Sequence, residues 1–266
     1  MNWLRPYSIF SILILVLPVA LLVYEGFGPM YNPSGVSTTI LRSIELSFAG
    51  ASTAALLNVI LFTPLAYYVS RRRDELLASL SDIPASIPHP IVGIALLLLD
   101  SPITPIGKVL LSAGINFFDT YLGFVSALTI ISAPIYVTAL RSYFDSMNRS
   151  AENFAASLGA RPDRLFSDVV LPNSYPGIVN ALLTSTSRAL SEFGSVAIVA
   201  YYVLQQPFYG VESAPVKIYE LYGYSGLSVS VTASALMIGF SLVLLVVARL
   251  IKRYAFKFTY SVGGSG

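Results

Sequence analysis

Arg188 and Glu192 are the residues of this chain best placed to do chemistry, because both are ionisable and both lie inside a hydrophobic stretch. They stand four positions apart in Ser187-Arg188-Ala189-Leu190-Ser191-Glu192-Phe193-Gly194, on one face of a helix. A charge at the centre of a membrane helix costs about 2.5–3.5 kcal/mol on insertion scales, so it turns towards a partner or a water-filled path. Two readings are open. The pair is an internal ion pair that tolerates burial, or it lines a translocation path or gate together with Phe193 and Gly194. On the second reading Arg188 favours a passing anion, and Glu192 holds the guanidinium while the path is empty. Little else in the chain points to catalysis. There is no cysteine, hence no thiol nucleophile, thiolate metal site or disulfide framework. The single histidine, His89 between Pro88 and Pro90, cannot make a metal site alone and reads as a packing or interface residue. No glycine-rich phosphate loop with a following Lys-Ser/Thr is present, so the chain is not expected to bind ATP or to be an enzyme.

A second group of residues is set up for docking. Residues 149–172 are polar in a largely apolar chain. Ser150 is a fair N-cap and Glu152 and Asn153 suit a first turn, so a helix is predicted from Ser150 to Leu158. Gly159 can take the left-handed conformation that ends it, and Pro162 suits the first position of a second helix, running to about Val170. Phe154 and Leu158 share one face. Two apolar knobs on a short helix can lie in a groove of another protein, or can pack on the bundle that carries them.

The elements that position both groups are membrane helices. The chain has 266 residues, 55% hydrophobic and 11% charged, with mean hydropathy +0.71; soluble domains carry about 25% charged residues. Six spans are predicted: about 7–24, 41–70, from among Pro84, Pro88 and Pro90 to about Leu99, 121–144, from after Pro172 to about Val203 with a break near Gly194, and 227–250. The first lacks a small-residue cleavage site and is read as a retained helix. Ala49, Gly50, Ala51, Ser52, Ala54 and Ala55 allow close packing of the second. A short interfacial helix is expected between Ser101 and Thr120, around 109–111.

Basic residues set the orientation. With both termini in the cytosol, the inner segments hold Arg5, Arg71, Arg72, Arg73, Arg141, Arg149, Arg161, Arg164, Arg249, Lys252, Arg253 and Lys257. The outer side holds Arg42, Lys108 and Lys217. Residues 145–172 are then cytosolic. The arginine run 71–73, followed by Asp74 and Glu75, reads as a topology and lipid-headgroup determinant. The 17 tyrosines and 15 phenylalanines read as interface belts and core, which leaves no stacking platform for nucleic acid. Residues 1–262 form one transmembrane domain on this reading, and Gly-Gly-Ser-Gly at 263–266 is a tail outside the fold.

The segment 153–172 resembles the EAA loop of ABC importer permeases, which has an opening Glu-Ala-Ala, a glycine one turn later and a closing hydrophobic-x-Leu-Pro. Ala155, Gly159, Leu171 and Pro172 match and Val169 is conservative. Asn153 and Phe154 depart from the family's Glu and Ala, with Glu152 one position earlier. Arg188 to Gly194 resembles the Arg-Ala-Leu-Gly-Glu-Phe-Gly stretch of the molybdate, tungstate and sulfate permeases. Ile87-Pro-His-Pro-Ile-Val-Gly-Ile-Ala-Leu96 and Ala214-Pro-Val-Lys-Ile-Tyr-Glu220 are also similar to that group, and the likeness covers about residues 40–252. It implies an all-α fold of the type I ABC importer permease kind, in a multi-pass cell-membrane protein. The helix from Ser150 to Leu158 would be its coupling helix, seated on a nucleotide-binding subunit. It further implies a homodimer, two copies of an ATPase that binds the ATP and Mg, an external substrate-binding protein and a tetrahedral oxyanion as cargo. Tungstate or molybdate comes first and sulfate or thiosulfate second. The alternative from another class is an ATP-independent channel or carrier.

Overall fold

In the computed structural model, residues 4–263 are described; among them the chain is helical, with one isolated antiparallel bridge between Val203 and Val211. Four helices are long and apolar enough to cross a membrane: α1 (Leu4–Phe27), α2 (Thr38–Arg72), α6 (Tyr121–Ser146) and α11 (Leu227–Gly263), the last assessed over Leu227–Val247. The pair α3 (Glu75–Ser86) and α4 (His89–Leu99), bent by 102°, passes the same test of length and apolarity only when taken together, as a broken span or a re-entrant loop. The remaining predicted span, the fifth in sequence, is broken into α8 (Tyr175–Leu190) and α9 (Val196–Val199). The short helices α5 (Pro105–Ser112), α7 (Ser150–Ser157) and α10 (Ala214–Tyr224) complete the fold. α5 occupies the segment expected to hold an interfacial helix. Residues 264–266 of the expected tail lie outside the described residues, while Gly263 ends α11.

α6 is the centre. Two thirds of its apolar window is buried, against none of that of α1. α2 and α8 pack along it. The small residues of α2 explain the fit: Gly50, Ala51, Ala54 and Ala55 are buried, and a Cβ at Gly50 would run into the Phe124 ring. Two polar pairs bridge the α2–α6 contact. Asn58 Nδ2 donates to Ser132 Oγ at 2.8 Å, and the Thr63 and Tyr136 hydroxyls meet at 2.7 Å. At 35 residues α2 is about 52 Å long, more than the ~30 Å hydrocarbon core, so it is tilted or projects beyond the bilayer.

The 102° elbow between α3 and α4 has a local cause. Ile87 precedes Pro88 and is forced extended (φ −105°, ψ 149°), which ends α3. Pro90 then falls in the first turn of α4, where its missing N–H is tolerated. Asp74 caps α3 through the Leu77 N–H at 3.0 Å, so only Arg73 and Asp74 separate α2 from the elbow's first arm.

Candidate functional site

The polar segment 149–172 follows its predicted outline, with one change at its start. Arg149 stands at the cap position and Ser150 is already helical; Asn148 Oδ1 accepts from the Ser150 N–H at 2.9 Å and from its hydroxyl at 2.6 Å. Gly159 has φ +83°, the Ala160 N–H reaches the Ala155 carbonyl at 3.1 Å and the Gly159 N–H reaches Ala156 at 3.0 Å. That double closure is the Schellman end a glycine permits. Pro162 opens the return helix, which widens into a π-helix over Leu165–Val170 before Leu171 and Pro172. The wide turn takes up the ladder ahead of Pro172, which has no N–H to continue it. Asn173 Nδ2 donates to the Val169 carbonyl at 2.8 Å.

Which face of α7 looks inward is settled by Glu152. It is 7% exposed, and its carboxylate takes Arg71 Nη2 at 2.6 Å, Arg71 Nε at 3.0 Å and the Tyr67 hydroxyl at 3.0 Å. Arg71 also donates to the Phe144 carbonyl at 2.7 Å, and its guanidinium lies over the Tyr67 and Phe144 rings. This corrects the reading of Arg71 as a headgroup determinant: its side chain is 11% exposed and fastens α7 to the last turn of α2. On the return arm Phe166 packs on Tyr67, and Val170 is fully buried with Leu140, Phe144 and Ala181. Phe154 and Leu158 take no part in this packing. They are 68% and 73% exposed, so the face carrying them does not lie on its own bundle. Asn153 is exposed, Ala155 half-buried, Leu171 half-buried and Pro172 exposed.

About 24 Å further along, at 1.5 Å per residue over the 16 residues of α8, stands the charged pair. Arg188 Nη2 is 3.0 Å from Glu192 Oε2, as the four-residue spacing requires. Glu192 lies just beyond the end of α8, and its side chain is fully buried. Its other oxygen accepts the Ser195 N–H and hydroxyl, both at 2.9 Å, at the start of α9. One carboxylate therefore serves both sides of the break. His89, at the head of α4, joins them: its Nδ1 is 3.0 Å from Glu192 Oε2. A packing role alone does not describe this histidine. Two glycines admit the elbow. A Cβ at Gly194 would meet Pro90 Cδ at 3.0 Å and His89 Cβ at 3.1 Å, and one at Gly93 would meet the Ser195 carbonyl at 2.6 Å. Phe193 turns away to the Tyr219 ring, 5.2 Å between centroids.

Arg188 Nη1 donates to Ser191 Oγ at 3.0 Å, and Ser191 edges a cavity of about 750 Å³ between α8, α10 and α11. Thr184 and Ser187 on one wall and Ser234 and Ser241 on the other set hydroxyls among leucine, isoleucine and methionine. Beside it on α10, Lys217 bridges Glu212 at 3.2 Å and Glu220 at 2.7 Å. Burial works against the ammonium, but the hydrogen bonds and fields of the two carboxylates outweigh it and hold Lys217 above the ordinary lysine range.

The sequence matches the binding-protein-dependent transport system inner membrane component family over residues 59–257. It is 30% identical over 213 residues to the molybdate/tungstate transport system permease protein WtpB of Thermococcus kodakarensis, covering 79% of this chain and 78% of that protein. It is 28% identical over 261 residues to the sulfate transport system permease protein CysT of Synechocystis, covering 94% and 88%. A crystal structure of an amino acid ABC transporter with histidines superposes with TM-score 0.55 at 18% identity, covering 84% of this chain and 95% of that one, a likeness of fold. With three quarters of its length inside the matched region and its helices laid out as in such a transporter, this multi-pass membrane chain belongs to the binding-protein-dependent transport system inner membrane components.

Proposed function

We propose that the chain is the transmembrane subunit of an ATP-driven importer of a tetrahedral oxyanion, molybdate or tungstate in the first place and sulfate in the second. The observation that carries this reading is the pinned helix α7: Glu152 anchors one face to Arg71 while Phe154 and Leu158 stand bare on another. Two such apolar side chains on the water side of a membrane protein need a partner to cover them. The partner is an ATPase subunit, present in two copies, which binds the ATP and Mg and does the hydrolysis. Asn153 and Ala155 flank the knobs, Gly159 is the turn between the arms, and Leu171 and Pro172 lead the chain back to the membrane. Two copies of the permease surround one path, an external binding protein delivers the anion, and α7 and both termini face the cytoplasm. The relatives named for molybdate, tungstate and sulfate support the cargo class.

In this reading Arg188 and Glu192, with Phe193 and Gly194, line the path or its gate. A guanidinium whose Glu192 partner is fully buried is held in place yet keeps N–H groups for an acceptor-only anion. Closure of the ATPases would bias two arrangements of the break against each other. Arg188→Ala is expected to lower uptake by roughly tenfold to a hundredfold, the range of a lost hydrogen bond to a charged group. ATPase copurification should stay unchanged; unaltered uptake kinetics would leave the pair a structural role only.

The assembly itself is tested in vesicles that hold the permease, its copurifying ATPase and the binding protein. Tungstate, molybdate and sulfate are titrated with and without ATP. Saturable ATP-dependent uptake of one of the three is expected. Uptake that ignores ATP, with no ATPase brought down by the tagged permease, would establish the channel or carrier instead.

A further inference from the structure

Four hydroxyls from α8 and its end line the cavity. Thr184, Thr186 and Ser187 each donate to a carbonyl four residues back along the helix, at 2.8, 2.7 and 3.1 Å. Ser191 stands where α8 stops and is bonded differently. The Glu192 N–H has turned to the Ala189 carbonyl at 3.1 Å, three residues back, where the regular ladder would take it to Arg188. The Ser191 hydroxyl serves the Arg188 carbonyl instead, donating at 2.8 Å. Its lone pair accepts Arg188 Nη1 at 3.0 Å. One hydroxyl thus ties the arginine's side chain to the arginine's own backbone, which it can do because it donates and accepts at once. The Arg-Ala-Leu-Gly-Glu-Phe-Gly stretch that this segment resembles has a glycine here, which can do neither.

We propose that Ser191 is a positioning residue for Arg188, fixing the guanidinium beside the cavity in the orientation in which a passing oxyanion meets it. The proposal rests on the reading of Arg188 as a path residue. Both terminal nitrogens are held from the same end of α8: Nη1 by Ser191, and Nη2 by Glu192 Oε2 at 3.0 Å. The two holders differ in charge. The fully buried Glu192 carboxylate offsets the arginine's charge, and a second carboxylate in place of Ser191 would leave the group acidic and repel an anion. A hydroxyl fixes Nη1 and leaves the charge as it is. A guanidinium has five N–H groups, so two tethers leave donors over for an acceptor-only ligand. Fixing it has value because a loose arginine carries much rotamer entropy, which the anion would otherwise have to remove on binding. Ser191 therefore acts on how tightly the anion is met.

Ser191→Ala removes both bonds. In vesicles holding the complete assembly it should raise the half-saturating concentration of tungstate, molybdate or sulfate, whichever of the three is taken up, by roughly tenfold. The maximal ATP-dependent rate should stay within about twofold, and ATPase copurification should not change. Ser191→Gly should match it, and Ser191→Thr, which keeps a hydroxyl on the same carbon, should recover most of the loss. Ser191→Ala is then made in an Arg188→Ala background. A residue that acts through the guanidinium has nothing left to position there, so the added loss should be under about twofold. A loss in that background as large as in the native chain, or a fall in maximal rate with half-saturation unchanged, would be the mark of a helix-end role and overturns the proposal. Unaltered half-saturation in Ser191→Ala beside impaired uptake in Arg188→Ala also overturns it and leaves the path reading standing. Unaltered uptake in Arg188→Ala removes the path reading, and the role of Ser191 with it.

Discussion

Arg71→Ala is expected to abolish ATP-dependent uptake without removing a single group from the path. The substitution leaves Glu152 buried and without its guanidinium; breaking a buried pair in this way costs about 3–5 kcal/mol. A loop of two short helices cannot absorb such a penalty in place. It is expected to swing away from α2, taking Phe154 and Leu158 with it. Three measurements follow this: protease cleavage within residues 149–172 should accelerate, the ATPase should fail to copurify, and uptake should fall by more than about a hundredfold. The control is the double variant Arg71→Met with Glu152→Leu. Replacing a buried ion pair by apolar side chains of similar volume is often neutral or stabilising, so this variant should regain most of the ATPase binding. Normal uptake in Arg71→Ala would mean that the pair does not hold the loop.

Phe154→Asp acts at the opposite face of the same helix. The ring is 68% exposed, so the isolated chain should fold and insert as before. In the assembly the aspartate would be taken into an apolar groove with no partner. A central aromatic anchor contributes about 2–4 kcal/mol in protein interfaces, so ATPase retention should drop by roughly thirtyfold or more. Whatever ATPase remains bound should hydrolyse ATP with little uptake. Leu158→Asp should behave alike and milder. If Phe154→Asp assembles and transports normally, the knobs are not the docking face.

The contrast between these two variants shows what the chain's residues disclose on inspection and what they hide. The outline of the docking loop was legible because local backbone chemistry writes it. Gly159 ends a helix by accepting a positive φ, Pro162 begins one, and the 150–158 spacing puts Phe154 and Leu158 side by side. The Arg188–Glu192 pair was legible for the same reason, being one helical turn apart. The partners of these groups were not. Arg71 reaches Glu152 across 81 residues and His89 reaches Arg188 across 99. No periodicity connects such positions, and a run of three arginines at a helix end looks alike whether one of them turns inward or all face water. The hint at His89 was its place between two prolines, which marked a turn and left open what the turn faced. The elbow was half legible: prolines 84, 88 and 90 were read as the start of a span, whereas α3 already runs from Glu75 through Pro84 and the break falls at Ile87, ahead of Pro88.

Glu192 has one last implication. Its two oxygens divide their work, one towards Arg188 and His89 and one towards the start of α9. The half-helices flanking the interruption are thus joined by a single pin, much as two shafts meet in a universal joint. Neither half can tilt far without dragging that pin, and the pin carries the arginine's orientation with it. On the proposed path reading, motion of the scaffold and presentation of charge to the cargo would be the same event, fixed by one side chain.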